Sequence, residues 1–426
     1  MNASTRSRVR RPAILWIAGA LALAFATSAP AQDYGSLSGN PLTLAGDARL
    51  VVAEGEASWI DGGFGKARFG GDEDGDLRVR PEAVEADLVW QPELSWSLGA
   101  TLALTAQHGQ EHAIDLSEAF LFYRHDPIGA IRLSTRAGLF WPPVSLEHSG
   151  PEWAVTETIT PSAINSWIGE EVKLVGWEAS GSLPLWGGRL RATGALFGWN
   201  DTSGTLLAFR GWALHDQKAT AFGRQPLPQL DGFMTFAQAA RTRPVIEIDD
   251  RVGFYGGIGW SAPGVRLEGL HYDNRGDPEA VTATMQWGWR TRFDSLGARV
   301  DVTPELQLTG QAMAGTTEMG FPRGGRIWVD TRFRSAFAMA TQQIGSASLS
   351  GRVEAFDTRG RGSVTAGEDD EEGWAFTLAA RRPFGEHVTL LAEVLRVESE
   401  RDARLRDALD PHQAHTVAQI AIRVRN

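Results

Sequence analysis

The 426-residue chain has no cysteine and only three lysines, Lys66, Lys173 and Lys218. The first absence excludes a disulfide framework and any thiolate metal site. The second leaves arginine as nearly the whole positive charge, and 52 acidic residues outnumber 41 basic ones. A chain of that balance has no nucleic acid among its expected partners. Methionine is scarce, at six. Beyond the N-terminus no apolar run approaches the roughly 20 residues a membrane helix needs. There is no G-x-S-x-G elbow and no Walker-type phosphate loop. What the chain does have is glycine, 48 residues, and tryptophan, 16.

The N-terminus carries an export signal. Arg6, Arg8, Arg10 and Arg11 precede a short apolar core, Ala13 to Ala26, and Ala29-Pro30-Ala31 has the small residues of a cleavage site. Residues 1–31 are read as a signal peptide and 32–426 as one barrel domain. Removing 1–31 takes four Arg and no acid, so 37 basic residues face 52 acidic ones, a net charge of −15. Exported, Gly- and Trp-rich and lysine-poor, the chain reads as an outer-membrane barrel rather than a periplasmic enzyme.

Alternation supports an all-β fold. On 94–107, Leu94, Trp96, Leu98, Ala100, Leu102 and Leu104 share one face. Ser95, Ser97, Thr101, Thr105 and Gln107 share the other. Sixteen such segments run from 48–60 to 415–425. The connections between them alternate strictly between short and long. The short ones are turns such as Gln91-Pro92-Glu93, Ala262-Pro263 and Gly345-Ser346. The long ones are 61–76, 108–115, 141–171, 201–250, 275–285, 317–329, 358–372 and 399–414. This pattern predicts a transmembrane antiparallel β-barrel of about 16 strands, with apolar faces toward lipid. Trp90, Trp96, Tyr123, Trp260 and Phe384 near short turns, and Trp287, Trp289 and Trp374 near long loops, are the expected aromatic girdles. The alternation slips at 294–300, which suggests a bulge.

The third long loop is unusual. The strand at 130–140 stops at Pro142-Pro143. Thr160-Pro161 reads as an N-cap with Pro at N1, opening a short helix from Ser162 to Ile168. Trp153, Ile159, Ile164, Trp167 and Ile168 need something to pack on. We therefore expect 141–171 to fold into the lumen and narrow it. The candidate pore-lining arginines are Arg132, Arg136, Arg191, Arg292, Arg332, Arg334 and Arg352, all on the polar phase of their strands. Glu147, Glu157 and Asn165 of the loop would face them across the pore. His108-Gly109-Gln110-Glu111-His112 fits H-x-x-E-H, but a Gly-containing loop lacks the helix that zinc chemistry needs, so no metal is expected. Asp231 to Arg241 could form a capped helix. The acidic tips Asp72 to Asp76 and Glu368 to Glu372 read as solvated charge.

At Gly138 to Glu147, the aromatic-Pro-Pro-x-Ser-x-Glu core resembles the phosphate-selective porin family of Gram-negative outer membranes. The resemblance implies a signal peptide, sixteen strands, a homotrimer and an inserted third external loop that constricts a passive aqueous channel. It implies small, anionic solutes, no cofactor and no enzymatic turnover. Outer-membrane lipids and lipopolysaccharide would surround the barrel. The family's phosphate channels place lysines at the constriction, whereas this chain has three in all and ends Arg425-Asn426 rather than on an aromatic residue. The alternative from another class is a barrel-embedded hydrolase or a loop-presenting surface protein without channel activity.

Overall fold

Apolar–polar alternation over ten or more residues makes a strand with two unlike faces, and such strands close on themselves when neither edge can be left open. The computed structural model describes residues 41–72, 75–150, 152–230, 232–364 and 370–426. The expected signal peptide lies outside them, as do Glu73, Asp74, Asp231, Glu368 and Asp369. The strands are β1 (Leu42–Glu54), β2 (Arg78–Trp90), β3 (Leu98–Gln107), β4 (Asp115–Arg124), β5 (Arg132–Phe140), β6 (Leu174–Leu185), β7 (Gly188–Gly198) and β8 (Gly253–Ala262). They continue as β9 (Val265–Asp273), β10 (Arg290–Asp301), β11 (Leu306–Met319), β12 (Val329–Ile344), β13 (Ala347–Gly360), β14 (Glu371–Phe384), β15 (Val388–Arg401) and β16 (His412–Arg425). Each pairs antiparallel with the next, and β16 closes on β1, from Ala45 opposite Arg425 to Glu54 opposite Thr416. The protein is a closed sixteen-stranded antiparallel barrel, as the connection lengths predict.

The first strand begins earlier than expected, at Leu42 rather than 48, because it continues the ladder with β2 to Leu42 opposite Trp90. No bulge exists at 294–300: β10 keeps unbroken register with both neighbours. The alternation slips there for a packing reason. Gly297 faces inward, and a Cβ on it would lie 2.6 Å from Leu146 Cδ1 of the inserted loop. The outward faces carry exposed Leu50, Leu121, Ile258, Leu296, Val353, Leu378 and Ile420. Trp90, Trp96, Tyr123, Phe384 and Trp374 are exposed girdle residues. Trp287 and Trp289 are not; they are buried in a loop cluster with Met319 and Val329.

The interior holds the core. Among the described residues, three α-helices sit in the long loops: α1 (Ala163–Glu171), α2 (Thr205–Arg210) and α3 (Met234–Ala237). The N-cap of α1 is Ser162, whose hydroxyl accepts from Asn165 N (3.4 Å); Pro161 lies before the helix rather than at its first position. The helix expected at 231–241 shortens to the four residues of α3. Trp167 of α1 packs with Trp212, Phe293 and Phe333, and the cluster extends through Phe337, Met339 and Phe356. Two loops, 141–171 and 201–250, therefore fill one side of the lumen as a dry, aromatic plug.

Candidate functional site

Loop 141–171 is held by carboxylates from the wall. Phe140 ends β5, and Gly138 beside it has φ +141°, where a Cβ would stand 2.2 Å from Ala119 O. Only glycine fits that approach. Beyond Pro142-Pro143 the chain turns inward, and Trp141 stacks on Trp153 (centroids 4.3 Å), which stacks on His148 (3.6 Å). Glu147 then accepts from Ser162 N (2.9 Å), Asn165 Nδ2 (2.6 Å) and Arg352 Nη1 (2.7 Å). Glu354 accepts from Ala163 N (2.7 Å), and Glu393 from Ile159 N (2.6 Å) and Thr160 N (3.0 Å). Arg352 binds Glu354 Oε1 (3.0 Å), Thr160 O (2.9 Å) and Thr377 Oγ1 (3.2 Å). Glu354 of β13 thus meets the first free N–H of α1, and Glu393 of β15 holds the two N–H groups that precede Pro161.

Loop 201–250, legible in the sequence only as a very long connection, is the second insertion. Arg210 at the end of α2 pairs with Glu170 (3.0 Å), and His215 Nε2 lies 3.0 Å from the same carboxylate. Glu171 accepts from Trp167 Nε1 (2.7 Å) and Leu206 N (2.7 Å). Lys66 of the first long loop pairs with Glu371 and donates to Arg210 O (3.1 Å). Arg401 donates to Ala208 O (2.9 Å) and Phe209 O (3.1 Å). These charges are taken from water together and satisfied together, which holds the loop in one place.

Where the first long loop and loop 201–250 meet the inner faces of β1, β2 and β16, the contacts form a charged ladder. Asp216 bridges Arg49 and Arg68; Asp47 binds Arg49 (2.9 Å) and Arg423 (2.8 Å). Lys218 meets Glu85 (2.7 Å) and Asp87 (3.5 Å). At the short-turn end the ladder opens into a cavity of about 260 Å³ that also holds Glu152, Arg381 and Arg425. At the long-loop end a cavity of about 360 Å³ is lined by Phe64, Phe209, Phe233, Arg401, Arg404 and Gln413.

The expected pore residues divide into three groups. Arg132, Arg136 and Arg191 face the lumen in register with Ser182, Glu178 and Gly259. Arg132 and Arg191 are exposed, whereas Arg136 is buried on Glu178 (3.0 Å) and over the Phe140 ring (4.0 Å). Arg352, Glu147 and Asn165 also point inward but are 0–5% exposed, so they anchor the loop and touch no aqueous surface. Glu157 is half-buried and accepts from Ser348 Oγ (3.1 Å). Arg292, Arg332 and Arg334 are a correction to the expected facing. Register places Phe293 and Phe333 inward, so these three arginines face outward. Sequence reading missed Arg49, Arg68, Asp216 and Lys218. The only signal was His215-Asp216-Gln217-Lys218, a polar run in an otherwise apolar loop stretch.

The H-x-x-E-H residues do not converge. Glu111 binds Arg224 and His108 Nδ1 lies 3.4 Å from Glu82. The Arg224 hydrogen bonds hold the Glu111 carboxyl below its ordinary pKa. Among the described residues, the one acidic cluster with metal-like spacing is Asp201, Glu247 and Asp249 at the long-loop end. Burial, then the charges of Asp249 and Glu247, push Asp201 up to about 7.

A sixteen-stranded antiparallel barrel with a loop folded into its lumen has the porin architecture. No protein-family model and no curated protein matches the sequence. Solved structures match in fold. The outer membrane channel DcaP of Acinetobacter baumannii is similar at TM-score 0.57 and 9% identity, over 92% of this chain and 99% of that one. An anion-selective porin from Comamonas acidovorans is similar at TM-score 0.52 and 11% identity, over 91% and 99%. A loop-deletion variant of OmpT, an outer membrane protein of Vibrio cholerae, is similar at TM-score 0.52 and 8% identity, over 91% and 100%.

Proposed function

We propose that the protein is an outer-membrane porin, a passive channel for small solutes, narrowed by two inserted loops. The observation that carries this reading is the division of the lumen. At the level of the inserted loops the apolar core reaches all round the wall, including Val51, Ala53, Val84 and Val417 of β1, β2 and β16, whereas nearer the short-turn end those three strands carry ion pairs leading to an open cavity. A solute there meets the partly exposed Asp47, Asp216 and Arg423 in a confined space of low effective dielectric, where charge selects strongly. In this reading the short turns are periplasmic and the long loops extracellular.

Small anions are the favoured solutes. Arg132 and Arg191 are exposed and Arg189 half-buried toward the lumen at the periplasmic end, and Arg423 is held by Asp47 at the cavity there. The Comamonas protein, similar in fold, is described as anion-selective, and the stretch 138–147 resembles phosphate-selective porins. Phosphate as the particular solute and a homotrimer as the assembly belong to this proposal. Purified protein in a planar bilayer should give small, stepwise, ohmic conductance, with a reversal potential in a salt gradient that favours anions. Arg132→Gln with Arg191→Gln should move that potential toward cations. A correctly folded barrel that stays silent would overturn the channel reading.

A further inference from the structure

The cavity at the short-turn end separates its charges by sign. On one flank β1, β2 and the inserted loops bring five carboxylates, Asp47, Glu85, Asp87, Glu152 and Asp216, together with Arg49, Arg68 and Lys218. On the other, β14 and β16 bring Arg381, Arg423 and Arg425, with Glu386 in the turn after β14 as the one carboxylate among the described lining residues. Register keeps the flanks apart. Glu85 of β2 is opposite Asp47 of β1, which is opposite Arg423 of β16; in the next row Asp87 is opposite Ala45, and Ala45 opposite Arg425. An acidic surplus thus faces a basic one across a few strand spacings of about 4.8 Å each. We propose that this cavity binds zwitterionic amino acids, with the ammonium group on Glu152 and the carboxylate on Arg425 and Arg381.

Most ions at the cavity are matched within the chain. Asp47 is held by Arg49 and Arg423, Asp216 by Arg49 and Arg68, and Lys218 takes Glu85 and Asp87. Glu152 and Arg425 are matched least. They lie 3.4 Å apart, against about 2.8 Å for a charge-assisted hydrogen bond. No hydrogen bond reaches Glu152 Oε2, and the Arg425 side chain is 35% exposed. Arg381 is half-buried in the cavity wall and makes no ion pair among the described residues. These groups are left to meet a solute. Glu152 can only accept and the two arginines can only donate. A simple anion would face Glu152 and Asp216, and a simple cation would face Arg381 and Arg425. A ligand carrying both charges a few ångströms apart satisfies both flanks at once, and weak screening in a confined space sharpens the difference. The cavity volume of about 260 Å³ admits a molecule of that size, and Trp153, Val155 and Leu391 give its side chain an apolar flank.

The inference goes beyond the anion reading: it needs the cavity to be open to solute, not the barrel to conduct. Its test uses the full barrel purified in detergent, at pH 7 and low ionic strength. Isothermal titration calorimetry compares L-alanine with propionate and ethylamine, which each keep one of its two charges. The wild type should bind alanine at least tenfold more tightly than either. Glu152→Gln should lose that preference and gain affinity for propionate. Arg381→Gln with Arg425→Gln should also lose it and gain affinity for ethylamine. Circular dichroism and heat-modifiable gel migration verify that each variant folds. Equal binding of the three probes by the wild type, or tighter binding of propionate than of alanine, overturns the proposal without any variant. So does an equal loss of all three probes in a folded variant, which would mark a collapsed cavity rather than a charge-matched one. Conductance measured on the same preparations keeps the two readings apart. A silent barrel that prefers alanine loses only the channel, and a conducting barrel without the preference loses only this site.

Discussion

At the residue scale, Glu147 shows how facing and role can part. It lies on the inserted loop and opposite an arginine, as its sequence position suggests, yet it is sealed from water by Ser162, Asn165 and Arg352. Removing its charge leaves Arg352 buried with Glu354 as its remaining close carboxylate. Breaking one partner of a buried pair costs about 3–5 kcal/mol, most of it felt locally. Glu147→Gln should therefore loosen the loop: protease cutting within 141–171 should rise and single-channel current should become noisy, with little steady change in ion preference. Asp201 gives a prediction about pH. Its pKa of about 7 in the folded chain stands above the ordinary 3.8, so the folded state binds more protons between those values. Its contribution to stability is present below about pH 4 and is lost as pH rises through 7. Hydrogen-exchange protection factors in loop 201–250, corrected for the intrinsic pH dependence of exchange, should be higher at pH 5 than at pH 8, and Asp201→Asn should remove most of that difference.

At the element scale, the two inserted loops act as one body. Arg210, Glu170, Glu171 and Trp167 tie the second loop to the first helix. Trp212 is fully buried, and its ring packs on Trp167, Phe333 and Phe356. Large-to-small changes in such a site cost about 3–5 kcal/mol. Trp212→Ala should release the second loop and raise single-channel conductance, while leaving the barrel's denaturation temperature in detergent nearly unchanged. Replacing 203–243 by a short Gly-Ser linker should raise conductance further than shortening 152–160 alone. If the second loop merely covered the outside of the mouth, neither change would alter the current.

At the scale of the whole molecule, the strict order of short and long connections places every turn of one kind at one end. A cysteine introduced at Glu279, exposed in a long loop, should react with a membrane-impermeant maleimide on intact cells. One at Glu305, in a short turn, should react only after the outer membrane is opened. The chain has no native cysteine to compete. The opposite labelling pattern would invert the orientation.

The sequence by itself determined the barrel. Strand number, the alternation of connection lengths and the inward turn after Pro142-Pro143 follow from local chemistry: proline withholds a donor, and period two sorts side chains between two faces. Only the tertiary structure decided which face is which in β10 and β12. The rule that polar residues face a barrel's lumen assumes that the lumen holds water. Here the lumen beside those strands holds Trp167 and Trp212, so Phe293, Phe333, Phe337 and Met339 point inward, and Arg292, Arg332 and Arg334 point toward the headgroup level outside. That exchange depends on a loop more than eighty residues upstream in the chain, which no local pattern could report. The anchoring of Glu147 has the same origin, since its partner Arg352 is 205 residues away.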